Sequence, residues 1–366
     1  MIVNAVITFL ETIAPPILQE AYDNAGLLTG NKNLHCTGVL ICLDCTEDIV
    51  QEAIDKKCNL VVAHHPIIFN GIKKITGKNY IERTIIKAIK NDIAIYGIHT
   101  NLDNVVHGVN GKIAEKLELE KVSILAPKNN VLQKLIVYVP KENADYLADT
   151  LFKAGAGQIG NYSNCSFKSF GIGSFTPNEG AEPKTGEIGI NEKVEEIKLE
   201  FLLPKWKQEE ILQVMKANHP YEEVAYDLLN LENVHQEIGS GIVGFLPKAM
   251  TETDFLQKLA TIFKVKAIKH TVFTNKVIKK VALCGGAGVF LLAAAKAVSA
   301  DVFVTSDVKY HEYFDAEGQL LLADIGHYES EQFTIELLFE LLSKKFPNFA
   351  VQKTGANTNP VQYFVS

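Results

Sequence analysis

The sequence has no long apolar run. The stretch VFLLAAAKAV near residue 290 is broken by Lys296 and is too short to span a bilayer, so no membrane partner is expected. The opening MIVNAVITFLETIAPPILQE has no basic leader and meets acid and proline early, so no secretory signal is expected. Basic charge is not in excess. Lys and Arg number 36 against 43 Asp and Glu, a net charge of −7, which argues against a nucleic-acid partner. The six cysteines are scattered at 36, 42, 45, 58, 165 and 284. Cys42 and Cys45 form a lone C-x-x-C inside VLICLDC, with no second pair to complete a zinc site; a strand there would set them on opposite faces, as reduced core thiols. A cytoplasmic protein is expected. Disorder-prone bias is also missing, with 47% hydrophobic and 22% charged residues. At 366 residues the chain exceeds the size at which single cores stop growing, which predicts two or three domains.

Residues 1–128 alternate apolar strands and amphipathic helices: GVLICLD, EDIVQEAIDKK, NLVVAHH, YIERTIIKAIKN, IAIYGIH. The strands are apolar throughout, as in a parallel sheet buried on both faces. Residues 129–236 read β-α-β-β-α-β: KLIVYVP, NADYLADTLFKAG, a polar Gly-rich stretch through GSFTPNEGAEPKTGE, KLEFLLP, KQEEILQVMKANH and AYDLLNL. That order predicts a ferredoxin-like insert. Residues 237–366 return to the first pattern with KVALCGG, GVFLLAAAKAVSA, DVFVTSD, LLLADIGH, ESEQFTIELLFELLSKKF and AVQKT. The fold class is therefore two-lobed α/β with an inserted α+β domain. The lobes look alike, since each has a strand running into a His-x-x-x-acid pair, His99/Asp103 and His327/Glu331.

In open parallel sheets ligands bind beyond the carboxyl ends of the strands. Three predicted strands end in groups that bind metals: His64-His65, then His99 and Asp103, then His327 and Glu331. Adjacent histidines at a strand end, with Pro66 turning the chain, can face one cavity some distance apart, which suits two neighbouring ions. His327 and Glu331, four apart at a helix start, share one face. Glu331 has two oxygens and can bridge, whereas Glu329 should point elsewhere. The metal ligands are read as His64, His65, Asp103, His327 and Glu331. His99 is read as orienting a ligand or touching substrate rather than ligating. Histidine and carboxylate ligands suit two divalent cations per subunit, zinc first, with iron, manganese or nickel as alternatives. Five side chains cannot saturate two ions, so open positions remain for hydrolytic chemistry. Cys284-Gly-Gly-Ala-Gly288 sits where a phosphate-cradling loop would, or is a tight turn. Ser306, Asp307, Lys309 and His311 follow another strand, and Lys309 or His311 is a candidate for acid/base work or substrate contact.

AHHPIIF, GIHTNLDN, TSDVKYHE and DIGHYESE, together with YDNAGLLTG at 22–30, resemble the GTP cyclohydrolase I type 2-like, or NIF-three-like, family over nearly the whole chain, with Tyr22 where Trp is often found. The resemblance implies a homohexameric toroid with dinuclear sites inside. It implies one cation on His64, Asp103 and Glu331, and a second on His65, His327 and Glu331. The open metal positions, the Gly-rich loop and Lys309 point to a metal-dependent hydrolase acting on a nucleotide-like or phosphate-bearing small molecule. GAGQIGNYSNCSF, GSFTPNEGAEPKTGE and HPYEEVAYDL resemble the insert of the longer bacterial members, expected to be PII/CutA-like. His219, Tyr221, Glu222 and Glu223 there form either a small polar site or a hydrogen-bonded connection. The alternative function is a non-catalytic metal-binding regulator that senses a small molecule through the insert.

Overall fold

The computed structural model describes residues 1–364, so the last two residues of the 237–366 segment lie outside the described part. The chain divides into two compact units. One combines residues 1–127 with the chain from Glu237 onward, and the other is the segment Lys128–Gln236.

The strands of the first unit are β1 (Gly26–Thr29), β2 (Val39–Asp44), β3 (Leu60–His65), β4 (Ala94–Gly97) and β5 (Glu120–Pro127). The second unit contributes β6 (Leu132–Pro140), β7 (Ser166–Phe175), β8 (Glu192–Pro204) and β9 (Tyr226–Leu231). The first then resumes with β10 (Gly239–Thr251), β11 (Lys269–His270), β12 (Val277–Leu283), β13 (Val302–Thr305), β14 (Leu321–Asp324) and β15 (Val351–Lys353).

The first unit has two sheets, ordered β1-β4-β3-β2-β15 and β11-β14-β13-β12-β10-β5. Neither is wholly parallel, which corrects the parallel-sheet expectation. The central triplets β2-β3-β4 and β12-β13-β14 are parallel and buried, but β1 lies antiparallel on β4, β11 on β14, and β10 on both β12 and β5. The likeness of the halves thus extends to the order and sense of four strands in each, β1-β4-β3-β2 and β11-β14-β13-β12, beyond which β15 runs parallel to β2 but β10 antiparallel to β12. A second correction concerns the lobes. β5, from the N-terminal stretch, pairs in the second sheet, while β15 pairs parallel with β2 in the first. The lobes 1–128 and 237–366 therefore exchange strands, and each closes an edge the other would leave unpaired.

Local chemistry sets the elements that flank the site. Thr46 accepts from Ile49 N–H to cap the helix Glu47–Asp55, and Asn79 accepts from Glu82 N–H to cap Tyr80–Lys90. Cys42 and Cys45 are both buried and pack in the same core cluster. The strand ends at Asp44 and the chain turns there, so the opposite-face expectation for a continuous strand does not hold. All six cysteines are free. No described helix is long and apolar enough to cross a membrane.

In the second unit β6–β9 form an antiparallel sheet in the order β7-β8-β6-β9, covered by the helices Ala144–Lys153 and Gln208–Asn218. Leu135, Val137, Leu147, Leu151, Leu199, Phe201, Ile211 and Met215 make its core.

Candidate metal centre

Three strand ends deliver the cluster. β3 ends in His64 and His65. β4 runs into His99 and the short helix Thr100–Asp103, and β14 runs through Gly326 into the short helix His327–Glu331. The fold brings His64, His65, Asp103, His327 and Glu331 together, with Glu331 buried at the middle.

The two oxygens of Glu331 face different donors. Oε1 lies 3.8 Å from His64 Nε2, which is itself 3.7 Å from Asp103 Oδ1. Oε2 lies 2.9 Å from His65 Nε2 and 3.1 Å from His327 Nε2, and those two nitrogens are 3.3 Å apart. Tetrahedral ligands about 2.1 Å from a zinc ion sit roughly 3.4 Å from one another, which is the spacing of the His65, His327 and Glu331 atoms, whereas the His64 contacts to Asp103 and Glu331 are longer. The group His65, His327 and Glu331 has all its ligand atoms within 4.8 Å of one another, as does the group His64, His65 and His99.

Each imidazole is fixed from behind through Nδ1. His64 Nδ1 lies 2.8 Å from the Ile98 carbonyl oxygen, which only accepts, so Nδ1 carries the proton. His64 is fully buried, and burial pushes its pKa down. The neutral ring therefore points a lone pair on Nε2 into the centre, where that atom is buried without a hydrogen-bond partner. Asp103 Oδ1 is likewise buried and unpartnered. Buried polar atoms are rarely left so, and both orphans face the same point.

His65 Nδ1 is 2.7 Å from Asp44 Oδ1, and His327 Nδ1 is 2.7 Å from Asp307 Oδ2. Burial alone would lower both pKa values. Hydrogen bonds donated to Asp44 and Glu331 outweigh it at His65, raised to about 10, and those donated to Glu331 and Asp307 outweigh it at His327, raised to about 9. For Glu331 burial works upward, but the three imidazoles hold it well below the ordinary carboxylate range. Burial and then the Glu331 charge push Asp103 well above it. Burial also pushes the Cys284 thiol up, and neither ligand group contains a cysteine.

His99 faces the same cluster, with its ring centroid 5.3 Å from that of His64 and 5.4 Å from that of His65. Its Nδ1 is 2.8 Å from Oδ1 of Asp23, whose side chain is fully buried. Burial would raise Asp23, but His99 and Thr100 hold it down at about 2. Sequence reasoning missed Asp23, Asp44 and Ile98 as supports. The YDN of the 22–30 motif and the strand-end acid of VLICLD were the available signals.

The structure does not bring Lys309 or His311 to the cavity. Asp307 adopts left-handed backbone (φ 56) where the chain leaves β13. Beyond it Lys309 is exposed and donates its N–H to Glu312, while His311 is exposed against Tyr310 and Phe314. Lys269 is the lysine that lines the cavity, tied at 2.7 Å to the buried Asp324. That cavity, about 670 Å³, is bounded by His65, His99 and His327 on one side. Pro66, Phe69 and the tail residues Pro360, Val361 and Tyr363 supply apolar wall, with Asp44, Asp307 and Asp324 among the polar lining. The volume suits a small molecule.

The Gly-rich turn is not a phosphate cradle. Gly285 N–H donates to Asn110, Gly286 N–H to Ser330 and Gly288 N–H to Thr305. Gly286 has φ 64, and a Cβ on it would sit 2.3 Å from Glu331 Oε1. Glycine there makes room for the central carboxylate.

The family description Duf34/NIF3 (NGG1p interacting factor 3) matches residues 1–360. A Bacillus subtilis (strain 168) protein named GTP cyclohydrolase 1 type 2 homolog is 40% identical, over 98% of this chain and 97% of the relative. The crystal structure of a Bacillus cereus protein related to NIF3 is 37% identical with a TM-score of 0.87, covering 100% of this chain and 99% of that one. A Staphylococcus aureus crystal structure is 32% identical with a TM-score of 0.79, covering 100% and 99%.

Proposed function

The chain belongs to the Duf34/NIF3 family, and from that premise we propose that it is a dinuclear metal-dependent hydrolase of a small phosphate-bearing or nucleotide-like molecule. The observation that carries the reading is the division of Glu331, with Oε1 toward His64 and Asp103 and Oε2 toward His65 and His327. The two orphaned atoms, His64 Nε2 and Asp103 Oδ1, are what a cation would satisfy. His64, Asp103 and Glu331 would hold one divalent cation, and His65, His327 and Glu331 the other. Zinc suits the donors, as do iron, manganese and nickel. When bound, such a pair supplies Lewis acidity and activates water at neutral pH.

The chain's own residues do the remainder. Asp44 and Asp307 set the orientation of His65 and His327. His99, held at Nδ1 by Asp23, is free to exchange a proton at Nε2 or to contact substrate. Lys269 takes the place expected of Lys309 and meets an anionic group of the substrate at the rim. Phe69 and the tail residues exclude water from an apolar substrate body. The PII/CutA kinship of the insert and the homohexameric ring belong to the same proposal. Light scattering that gives a monomer at working concentration would contradict the ring.

Turnover of nucleotides and phosphate monoesters by zinc-, manganese- and iron-loaded protein tests the activity. Hydrolysis that is lost in Asp103→Ala supports it, and hydrolysis unchanged by that substitution refutes it. Lys269→Ala is expected to raise KM for an anionic substrate about tenfold with little change in kcat, the signature of uniform binding. Asp44→Asn and Asp307→Asn are each expected to weaken metal binding by about 10–100-fold, because each loosens a ligand without removing it; competition with a chelating dye reads this directly.

Loading should also release protons. In the metal-free protein His65 and His327 carry protons up to about pH 10 and about pH 9. Their raised pKa values favour the metal-free fold fully below about pH 6.5, and that contribution is lost as pH rises through the two values. A cation must displace both protons, so affinity is expected to climb between neutral pH and about 9. Zinc titration in weak buffer measures the release, and no pH change would contradict the assignment.

A further inference from the structure

Two exposed aromatic rings stand beside the metal centre without taking part in it. Phe69, on the loop that leaves β3 through Pro66, lines the cavity and is 42% exposed. Tyr22, on the loop before β1, is 64% exposed. Its ring centroid lies 6.1 Å from that of Phe69, with the planes tilted by 43°. Phe69 in turn meets His99 edge-on, centroids 6.2 Å apart. Because His99 stands against His64 and His65, the three rings form a ladder from solvent to the centre. Large rings left in water at a cavity are the surface a ligand covers.

Hydrogen bonds hold the ladder in place. Asp23, next to Tyr22, accepts from Thr100 N–H at 3.0 Å and pairs with His99 Nδ1 at 2.8 Å. Asn24 Nδ2 donates to the Ile68 carbonyl oxygen at 2.7 Å, which ties this loop to the residue before Phe69. The two rings are therefore positioned before a ligand arrives, and less ordering is left for binding. Burial and then the Glu20, Asp23 and Asp103 carboxylates push the Tyr22 pKa up, so the phenol stands within electrostatic reach of the centre.

The carboxylates of the wall, by contrast, are engaged with the protein. Asp44 is shared between His65 and Thr358, and Asp307 holds His327. Asp324 holds Lys269, and Glu329 accepts from Asn359. A ligand body meets open ring surface here rather than open acceptors.

We infer, on the reading of the metal centre as a site for anionic substrates, that Phe69, backed by Tyr22, selects a planar aromatic ring in the substrate body and recognises the ring's face. With the anionic group at the metals, the ring joined to it lies against Phe69. Aromatic pairs gain attraction beyond the area they bury, which a saturated ring of the same size does not.

Calorimetric titration of the zinc-loaded, full-length protein with phenylphosphonate, cyclohexylphosphonate and methylphosphonate tests this, since a carbon–phosphorus bond survives a hydrolase. Phenylphosphonate is expected to bind about fivefold tighter than its cyclohexyl counterpart. Phe69→Leu should bring that ratio to about one, and Tyr22→Leu should lower it by less. Both side chains are exposed, so zinc content and thermal midpoint should stay at wild-type values in each variant. Equal affinity for the phenyl and cyclohexyl compounds, or a preference that survives Phe69→Leu, overturns the inference and leaves the hydrolase reading standing. No saturable binding of any of the three at millimolar concentration overturns both. A ring preference lost in Phe69→Leu, with no turnover of any phosphate ester, supports the inference and refutes hydrolysis.

Discussion

Glu331→Ala is expected to empty both cation positions at once, whereas His327→Ala empties one and spares the ion at His64. The difference follows from the shared carboxylate, whose oxygens face separate donor groups. Losing a residue behind a ligand costs about 10–100-fold in affinity, and losing a ligand common to two ions should exceed about 100-fold at each. The variant should also weaken the metal-free fold. Glu331 is buried and receives hydrogen bonds from His65 and His327. Removing one partner of a buried charged group costs about 3 kcal/mol or more. Metal content by mass spectrometry after gel filtration separates the variants. Equal losses from Glu331→Ala and His327→Ala would contradict the bridge.

Asp103→Asn is expected to act with opposite signs on stability and on metal binding. In the metal-free protein the Asp103 carboxyl is buried beside Glu331, and its Oδ1 has no partner. An unsatisfied buried group costs about 1–3 kcal/mol, more if charged, and the amide relieves the like-charge contact. The metal-free variant should therefore melt higher, by about 1 kcal/mol or roughly 2–4 °C. With zinc present the order reverses, because the wild type gains binding energy that the variant cannot. A residue that destabilises the empty fold and is needed by the filled one marks a functional position. If metal-free Asp103→Asn melts lower than wild type, the carboxylate is held by the fold and the argument from its orphaned oxygen fails.

How much of this was legible in the sequence depended on whether a feature is local. The strand ends were readable because apolar runs such as LVVA stop at His64-His65, and sheet topology places such ends together. The pairing of Glu331 with His327 followed from helical spacing. Long-range exchange was not readable. The pairing of Val351–Lys353 with Val39–Ile41 leaves no mark in either segment, since any buried strand accepts such a neighbour. The supporting acids were half visible. Asp44 stands in register with His65 across β2 and β3, but within VLICLD it reads only as the end of a strand. Lys309 and His311 misled because distance along the chain from β13 is small, yet the turn at Asp307 carries them away. Lys269 gave no signal; it reaches the cavity only because the two-residue β11 lies against β14. The glycines at 285–288 suggested a ligand loop, whereas packing against Glu331 and Thr305 requires them.

The most direct test is a crystal structure of zinc-soaked protein with anomalous data collected on both sides of the zinc edge. Two anomalous peaks should appear, one touching His64 and Asp103, the other touching His65 and His327, with Glu331 reaching both. A single peak, or none within reach of Glu331 at saturating zinc, would contradict the dinuclear centre.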